Sequence, residues 1–268
     1  MRILFLGDVV GLSGCSKIIK SLSSQIKMKK IDFVIVNGEN ADETGVGLTK
    51  ENCQNLFSCG VNVITTGNHV WDQKNIMNFI EKENRLLRPQ NLFEPAPGKG
   101  FEIFTIPTKV KIGVLNLMGN VFMKKCNDVF EVSKKFVDMY KLKRDYDFLV
   151  VDFHGEITSE KNAIGHFFDG KATLVVGTHT HIPTNDARIL KNGTAYQTDA
   201  GMCGDYDSVI GMDKNISINR FFKEKSIKNF PANGEATLSG VIVDCDLKTG
   251  LSNSIESYIF GGQLNKTF

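Results

Sequence analysis

Two histidines, His179 and His181, stand two residues apart after the apolar pair Val175-Val176 and the turn-prone Gly177-Thr178. The chain has only 5 histidines, so two at one strand end suggest a shared task. Imidazole nitrogens at such a spacing suit a divalent metal when oxygen donors join them. Candidate donors recur at four other points: Gly7-Asp8, Gly38-Glu39-Asn40, Gly67-Asn68-His69 and Asp152-Phe153-His154-Gly155-Glu156. Each follows a short apolar run. Glycines beside them let the backbone approach and turn sharply. A donor set of Asp, Glu, Asn and His without thiolate fits manganese, iron or zinc. Two cations held close together repel, so a bridging carboxylate and hydroxide must lie between them; the chemistry of such a pair is hydrolysis.

Taken singly, each donor has a blander reading. Asp8 could cap a helix, Glu39 and Asn40 could shape a turn, and His154 could be a satisfied core histidine. Their common position decides for one site, because open α/β sheets bind ligands outside the carboxyl ends of their strands. His166 falls outside the set and reads as structural.

For these donors to meet, their strands must share a sheet edge. Apolar runs predict strands over residues 3–7, 33–37, 61–65, 148–152 and 173–176. Helical periodicity runs through Ile18, Ile19, Leu22 and Ile26, over 49–57 with Thr49 as N-cap, over 72–81, over 129–141, and between the strands at 148–152 and 173–176. Residues 88–100, rich in Pro and Gly, read as loop. A hairpin pair is expected at 101–106 and 111–117, and late strands at 187–190, 195–198, 238–245 and 254–260. The early strand–helix alternation predicts a mainly parallel sheet. The later hairpins predict a second, more antiparallel sheet packed on it. The expected fold class is therefore α/β, a four-layer αββα sandwich of two mixed sheets flanked by helices, as a single domain over 1–268. A segment at 198–204 is a candidate loop over the metals.

Composition narrows the partners. A net charge of +2 with 23% charged residues leaves no global footprint for nucleic acid or membrane. No apolar run approaches the length of about 18 residues that a spanning helix needs, and the short run after Met1-Arg2 is no secretory leader. The 6 cysteines lack a C-x-x-C pair and read as reduced packing thiols of a cytoplasmic protein. A dinucleotide reading of Gly7–Gly14 fails on spacing, since G-x-G-x-x-G is absent. A homo-oligomer is compatible with this composition.

In their order, the strand-end motifs resemble those of the calcineurin-type metallophosphoesterases: D-x-H, G-D, G-N-H, H and G-H-x-H. Two positions depart from that pattern: Val10 stands where the first histidine would be, and Glu39 replaces the bridging aspartate. Both departures, with the stretches G-D-V-V-G, N-G-E-N, G-N-H-x-W-D, D-F-H-G-E, G-T-H-T-H and T-D-x-G-M in order, make the chain similar to the bacterial YmdB-like phosphodiesterases. The resemblance covers nearly the whole chain. It implies two divalent ions, Fe or Mn first and Zn as a substitute. One would take Asp8, Glu39, Asn40 and His181, with Asn40 compensating for Val10. The other would take Glu39, Asn68, His154 and His179, with Glu39 bridging. His69 would serve as general acid. The implied reaction is hydrolysis of 2′,3′-cyclic nucleotides, with 3′,5′-cyclic nucleotides as further substrates, by in-line attack of a metal-bridging hydroxide. Glu156, Asp152 and Asp72 would orient imidazoles. The alternative reading is a regulatory or RNA-metabolism partner protein whose metal centre serves binding more than turnover. The lack of a basic stripe with interleaved aromatics weighs against direct RNA contact. Substrate choice is expected to lie in the loops at 92–100 and 118–127.

Overall fold

A computed structural model describes residues 1–223 and 228–264; the end of the expected domain at 265–268, and its residues 224–227, lie outside the described residues. The elements in chain order are β1 (Arg2–Leu6), β2 (Asp8–Val9), α1 (Gly11–Lys29), β3 (Phe33–Asn37), α2 (Lys50–Ser58), β4 (Val63–Thr65), α3 (Ile76–Ile80), β5 (Phe101–Thr105), β6 (Lys111–Met118), α4 (Val129–Met139), β7 (Phe148–His154), α5 (Thr158–Phe168), β8 (Leu174–Thr178), β9 (Arg188–Ile189), β10 (Ala195–Gln197), β11 (Met202–Asp205), α6 (Lys214–Phe221), β12 (Ala236–Cys245) and β13 (Ser252–Phe260). They form a 7-stranded sheet, ordered β2-β11-β12-β1-β3-β4 with β13 also on β12, and a 6-stranded sheet, ordered β5-β6-β7-β8-β10-β9.

Alternation along the strands sets the layers, since successive side chains face opposite sides of a sheet. Ile3, Phe5, Phe33, Ile35 and Val63 of the first sheet meet Phe148, Val150, Leu174 and Val176 of the second in one buried cluster. The intervening residues point outward. Leu4, Leu6, Val34, Val36 and Ile64 pack on Cys15, Ile18 and Leu22 of α1 and on Cys53 and Leu56 of α2. Leu149, Val151, Phe153 and Val175 pack on Val129 and Phe136 of α4 and on Ile164 and Phe168 of α5. The result is the helix–sheet–sheet–helix sandwich expected from the sequence.

The inward columns change character at their carboxyl ends. Two residues beyond Ile35, Val63, Val150 and Val176, on the same face, come Asn37, Thr65, Asp152 and Thr178. His154 closes β7 on that face. The strands thus carry apolar side chains into the inter-sheet core and deliver polar ones at its end.

Three expectations are corrected. Both sheets are mixed as expected, but the parallel run β6-β7-β8-β10 lies in the second sheet rather than the first, while the late antiparallel β12–β13 hairpin joins the first. The helix expected over 72–81 is only Ile76–Ile80, because its first turn is used elsewhere: Asp72 binds the His69 ring and Gln73 donates to Asp42 and to the Val46 carbonyl. The segment 198–204 is no lid. It leads into β11, whose Met202 pairs with Asp8 in parallel register. The Thr49 cap is observed, in a reciprocal capping box with Asn52. All six cysteines are free thiols, and no helix among the described residues is long and apolar enough to cross a membrane.

Candidate metal centre

His154 lies at the middle of the site. Pairing of β7 with β8 sets His154 opposite Thr178. Their side chains meet, with the His154 Nδ1 to Thr178 Oγ1 distance at 2.9 Å, and Thr178 in turn donates to Asp152 Oδ1 at 2.7 Å. Because the Thr178 proton is committed to Asp152, Nδ1 of His154 is the donor to Thr178. Nε2 is thereby turned to the opposite side. There it faces Glu39 Oε1 at 3.0 Å, Asn68 Oδ1 at 3.0 Å and His179 Nδ1 at 3.1 Å. One ring nitrogen carries at most one proton, so it cannot satisfy three acceptors. Such a knot of lone pairs fits a cation. Glu39, His154 and His179 offer ligand atoms all within 4.8 Å of one another.

The other donors border this group. Asp8 is fully buried; its Oδ2 accepts from the His179 amide at 3.1 Å, and its Oδ1 lies 3.6 Å from His154 Nδ1 without a hydrogen bond. Asn40 donates its amide Nδ2 to the Gly45 carbonyl at 2.8 Å, which leaves its buried Oδ1 without a partner. Buried acceptors without donors are rare and ask for an explanation; Asp8 Oδ1 and Asn40 Oδ1 are two such atoms at this site. His181 makes no hydrogen bond to the other donors. Its Nδ1 donates to the Ile210 carbonyl at 2.8 Å, which leaves Nε2 as the lone-pair nitrogen. His179 is fixed in the same manner, with Nε2 against Glu156 Oε2 at 2.9 Å. Every candidate histidine ligand therefore has its outer nitrogen held, which orients the ring.

Charge in this pocket is strained. Burial pushes the Asp8 carboxyl up, against the pull of His181 and His154. Burial also works on Glu39, yet the His154 ring beside it, with His69, holds it down to about 2. Burial raises Asp152 to about 7. His154 is driven up to about 9, the cost of burial being overcome by Glu39, Asp8 and Asp152. His179 is pushed down to about 3 by burial and by His154. Several carboxylates thus compete for one imidazolium, a balance that added positive charge would relieve.

Backbone shape serves the same end. Gly67 has no room for a side chain: a Cβ there would sit 2.2 Å from His154 Cδ2 and 2.3 Å from Glu39 Oε2. At Gly177 it would sit 1.8 Å from the Thr198 carbonyl. His179 and His181 both adopt positive φ, 98° and 66°, a conformation uncommon outside glycine. The residue between them is anchored, since Thr180 gives Asp199 Oδ2 both its amide at 3.2 Å and its hydroxyl at 2.7 Å. Asp199 is itself paired with the buried Lys161 at 2.5 Å.

His69 stands apart from the knot. Its amide donates to Glu39 Oε2 at 3.1 Å, and its partly exposed ring binds Asp72 through Nδ1 at 2.7 Å, so Nε2 is free. Of the expected orienting carboxylates, Asp72 acts on His69, Asp152 acts on His154 through Thr178, and Glu156 acts on His179 rather than on His154. His166 is exposed in the last turn of α5, away from the centre. Two contributors escape a reading from sequence: Thr178, although it lies inside the histidine motif, and Lys161, which has no local signal at all.

Comparison with known proteins identifies the family. The model of the YmdB-like protein family matches residues 4–258. The 2′,3′-cyclic-nucleotide 2′-phosphodiesterase of Bacillus subtilis (strain 168) is 44% identical over 257 residues, covering 96% of each chain. A crystal structure of a novel phosphatase from Mycoplasma pneumoniae superposes with a TM-score of 0.89 at 38% identity, covering 97% of this chain and 93% of the other. A hypothetical protein from Thermus thermophilus gives a TM-score of 0.89 at 34% identity, covering 97% of this chain and 99% of the other. The sandwich is the metallophosphoesterase fold, and the chain belongs to the YmdB-like family.

Proposed function

We propose that the protein is a dinuclear, metal-dependent phosphodiesterase that hydrolyses 2′,3′-cyclic nucleotides, and 3′,5′-cyclic nucleotides as a second class. The observation that carries this reading is the His154 Nε2 atom with three acceptors within 3.1 Å. The name of the Bacillus subtilis relative supports the substrate class. Asp8, Glu39, Asn40 and His181 would hold one ion, and Glu39, Asn68, His154 and His179 the other. When bound, two divalent ions supply Lewis-acid charge for phosphate oxygens and bring the pKa of water towards neutrality.

The chain's own groups do the rest. Thr178, Glu156 and the Ile210 carbonyl fix the tautomers of His154, His179 and His181, so that each turns a lone pair inward. Asp72 holds the His69 ring through Nδ1 and aims Nε2 away from itself. A proton carried on Nε2 is then placed for the ester oxygen that leaves as the P–O bond breaks. A general acid in such a position is worth about 100- to 10,000-fold.

The test is turnover of a panel of 2′,3′- and 3′,5′-cyclic nucleotides with Mn²⁺, Fe²⁺ and Zn²⁺ in turn. The wild type is expected to open 2′,3′-cyclic nucleotides. His69→Ala is expected to retain its bound metal and lose about 100-fold or more in kcat. A purified protein that takes up no metal and hydrolyses nothing in the panel would end the reading.

A further inference from the structure

Beside the centre lies a cleft of about 310 Å³ that none of the roles above uses. Gly67 and Asn68 form its inner end, and Asn68 Oδ1 is 3.0 Å from His154 Nε2. Its walls are apolar: Trp71 follows the Gly67-Asn68-His69 turn, Met77 comes from α3, Phe93 from the Pro-rich loop and Met118 from the end of β6. Lys124 lies at the junction with the centre, where its ammonium bonds the Asn68 carbonyl and reaches Asp72 at 3.4 Å. The two loops expected from the sequence to govern substrate choice, 92–100 and 118–127, both contribute to this cleft.

Three features define what fits there. Phe93 is 56% exposed and Met77 45%, so large apolar faces stand open beside a highly polar site. The volume falls at the lower end of the range of about 300–1,000 Å³ typical of small-molecule sites. Four larger cavities, of about 370, 410, 520 and 830 Å³, are lined by none of the donor residues. A phosphodiester held at the centre would therefore extend its flat, apolar part into this cleft rather than into any of those. Aromatic walls suit the π-face of a base, and a lysine at the junction suits the sugar-phosphate next to it.

We infer that the cleft is the nucleobase subsite, with Phe93 and Trp71 as its stacking walls. The ligand class rests on the phosphodiesterase reading above, and two readouts separate the two claims. The first is fluorescence. Trp71 is the only tryptophan of the chain, so a base that enters the cleft is seen directly. Adenosine 3′-phosphate, added to the metal-loaded protein, is expected to quench Trp71 saturably, whereas ribose 3′-phosphate is not. Phe93→Ala should weaken the nucleotide's Kd about tenfold, the scale of losing one stacking partner; Phe93→Tyr should keep the wild-type value. The second is turnover of adenosine 2′,3′-cyclic phosphate against methyl riboside 2′,3′-cyclic phosphate, which lacks a base. Phe93→Ala should lower kcat/KM about tenfold on the first and leave the second unchanged. Equal losses on both substrates, or equal quenching by ribose 3′-phosphate, would overturn the subsite. Base-dependent quenching without hydrolysis of either substrate would support the cleft and defeat the catalytic reading. Hydrolysis of both with equal efficiency and no quenching would do the reverse.

Discussion

At the scale of single residues, the site depends on what is missing as much as on what is present. Gly67 passes so close to His154 and Glu39 that even a methyl group would occupy the space between donors. Gly67→Ala is expected to reduce bound metal per chain and to cost about 1–3 kcal/mol by overpacking, read by elemental analysis and urea titration. Full metal occupancy in that variant would show that the knot tolerates displacement. The proposed donors Asp8, Glu39, Asn40, Asn68, His154, His179 and His181 could be singled out in the sequence because each follows an apolar run, and the structure groups three of them, Glu39, His154 and His179, within 4.8 Å. Thr178 was not legible, because its meaning comes from register: only the pairing with His154 turns a strand threonine into the link to Asp152. The same holds for the Ile210 carbonyl, which any residue type could provide.

At the scale of elements, the turn from Gly177 to His181 is the most demanding piece. Two histidines with positive φ cost energy, and Thr180 between them is held by Asp199. Lys161 of α5 and Asp199 are both almost wholly buried. Removing one partner of a buried pair leaves an uncompensated charge, a loss of about 3–5 kcal/mol. Lys161→Met is accordingly expected to lower the urea midpoint sharply, and to reduce metal affinity as the turn loosens. A variant as stable as wild type would show that Thr180 and the Gly201 amide, which donates to Asp199 Oδ1 at 2.8 Å, suffice to hold Asp199. Long, well-patterned elements were legible: α2, α4, β6 and β13 fall within a few residues of expectation, and α1 contains the periodic run Ile18, Ile19, Leu22 and Ile26. Of the short ones, β4, β9 and β10 were anticipated, but the 2-residue β2 and the 4-residue β11 were not. They carry too little pattern to read, and they form where Asp8-Val9 meets Met202-Cys203 and β11 meets β12 across the chain. The α6 helix was missed as well; its buried face is confined to Ser217.

At the scale of the whole molecule, the two sheets share one buried cluster, so neither can expose its inner face without the other. We propose that the described chain is one cooperative unit. Urea unfolding followed by Trp71 fluorescence and by far-UV circular dichroism should then give coincident curves; two separated steps would divide the sandwich into independent halves. The layer order was legible from alternation, but which sheet would receive the late hairpin was not, since β12 is equally apolar on any edge. Its actual place has a consequence. β12 lies between β1, which leads into Asp8, and β11, which pairs with Asp8, and residues 2–6 pair with residues 240–244. A ribosome making this protein delivers Asp8 long before the strand at 240–244 that pairs with β1. The earliest of the proposed donors is therefore locked in place only after β12 has emerged, and a copy stopped before β12 carries the full set of histidines without the scaffold to aim them.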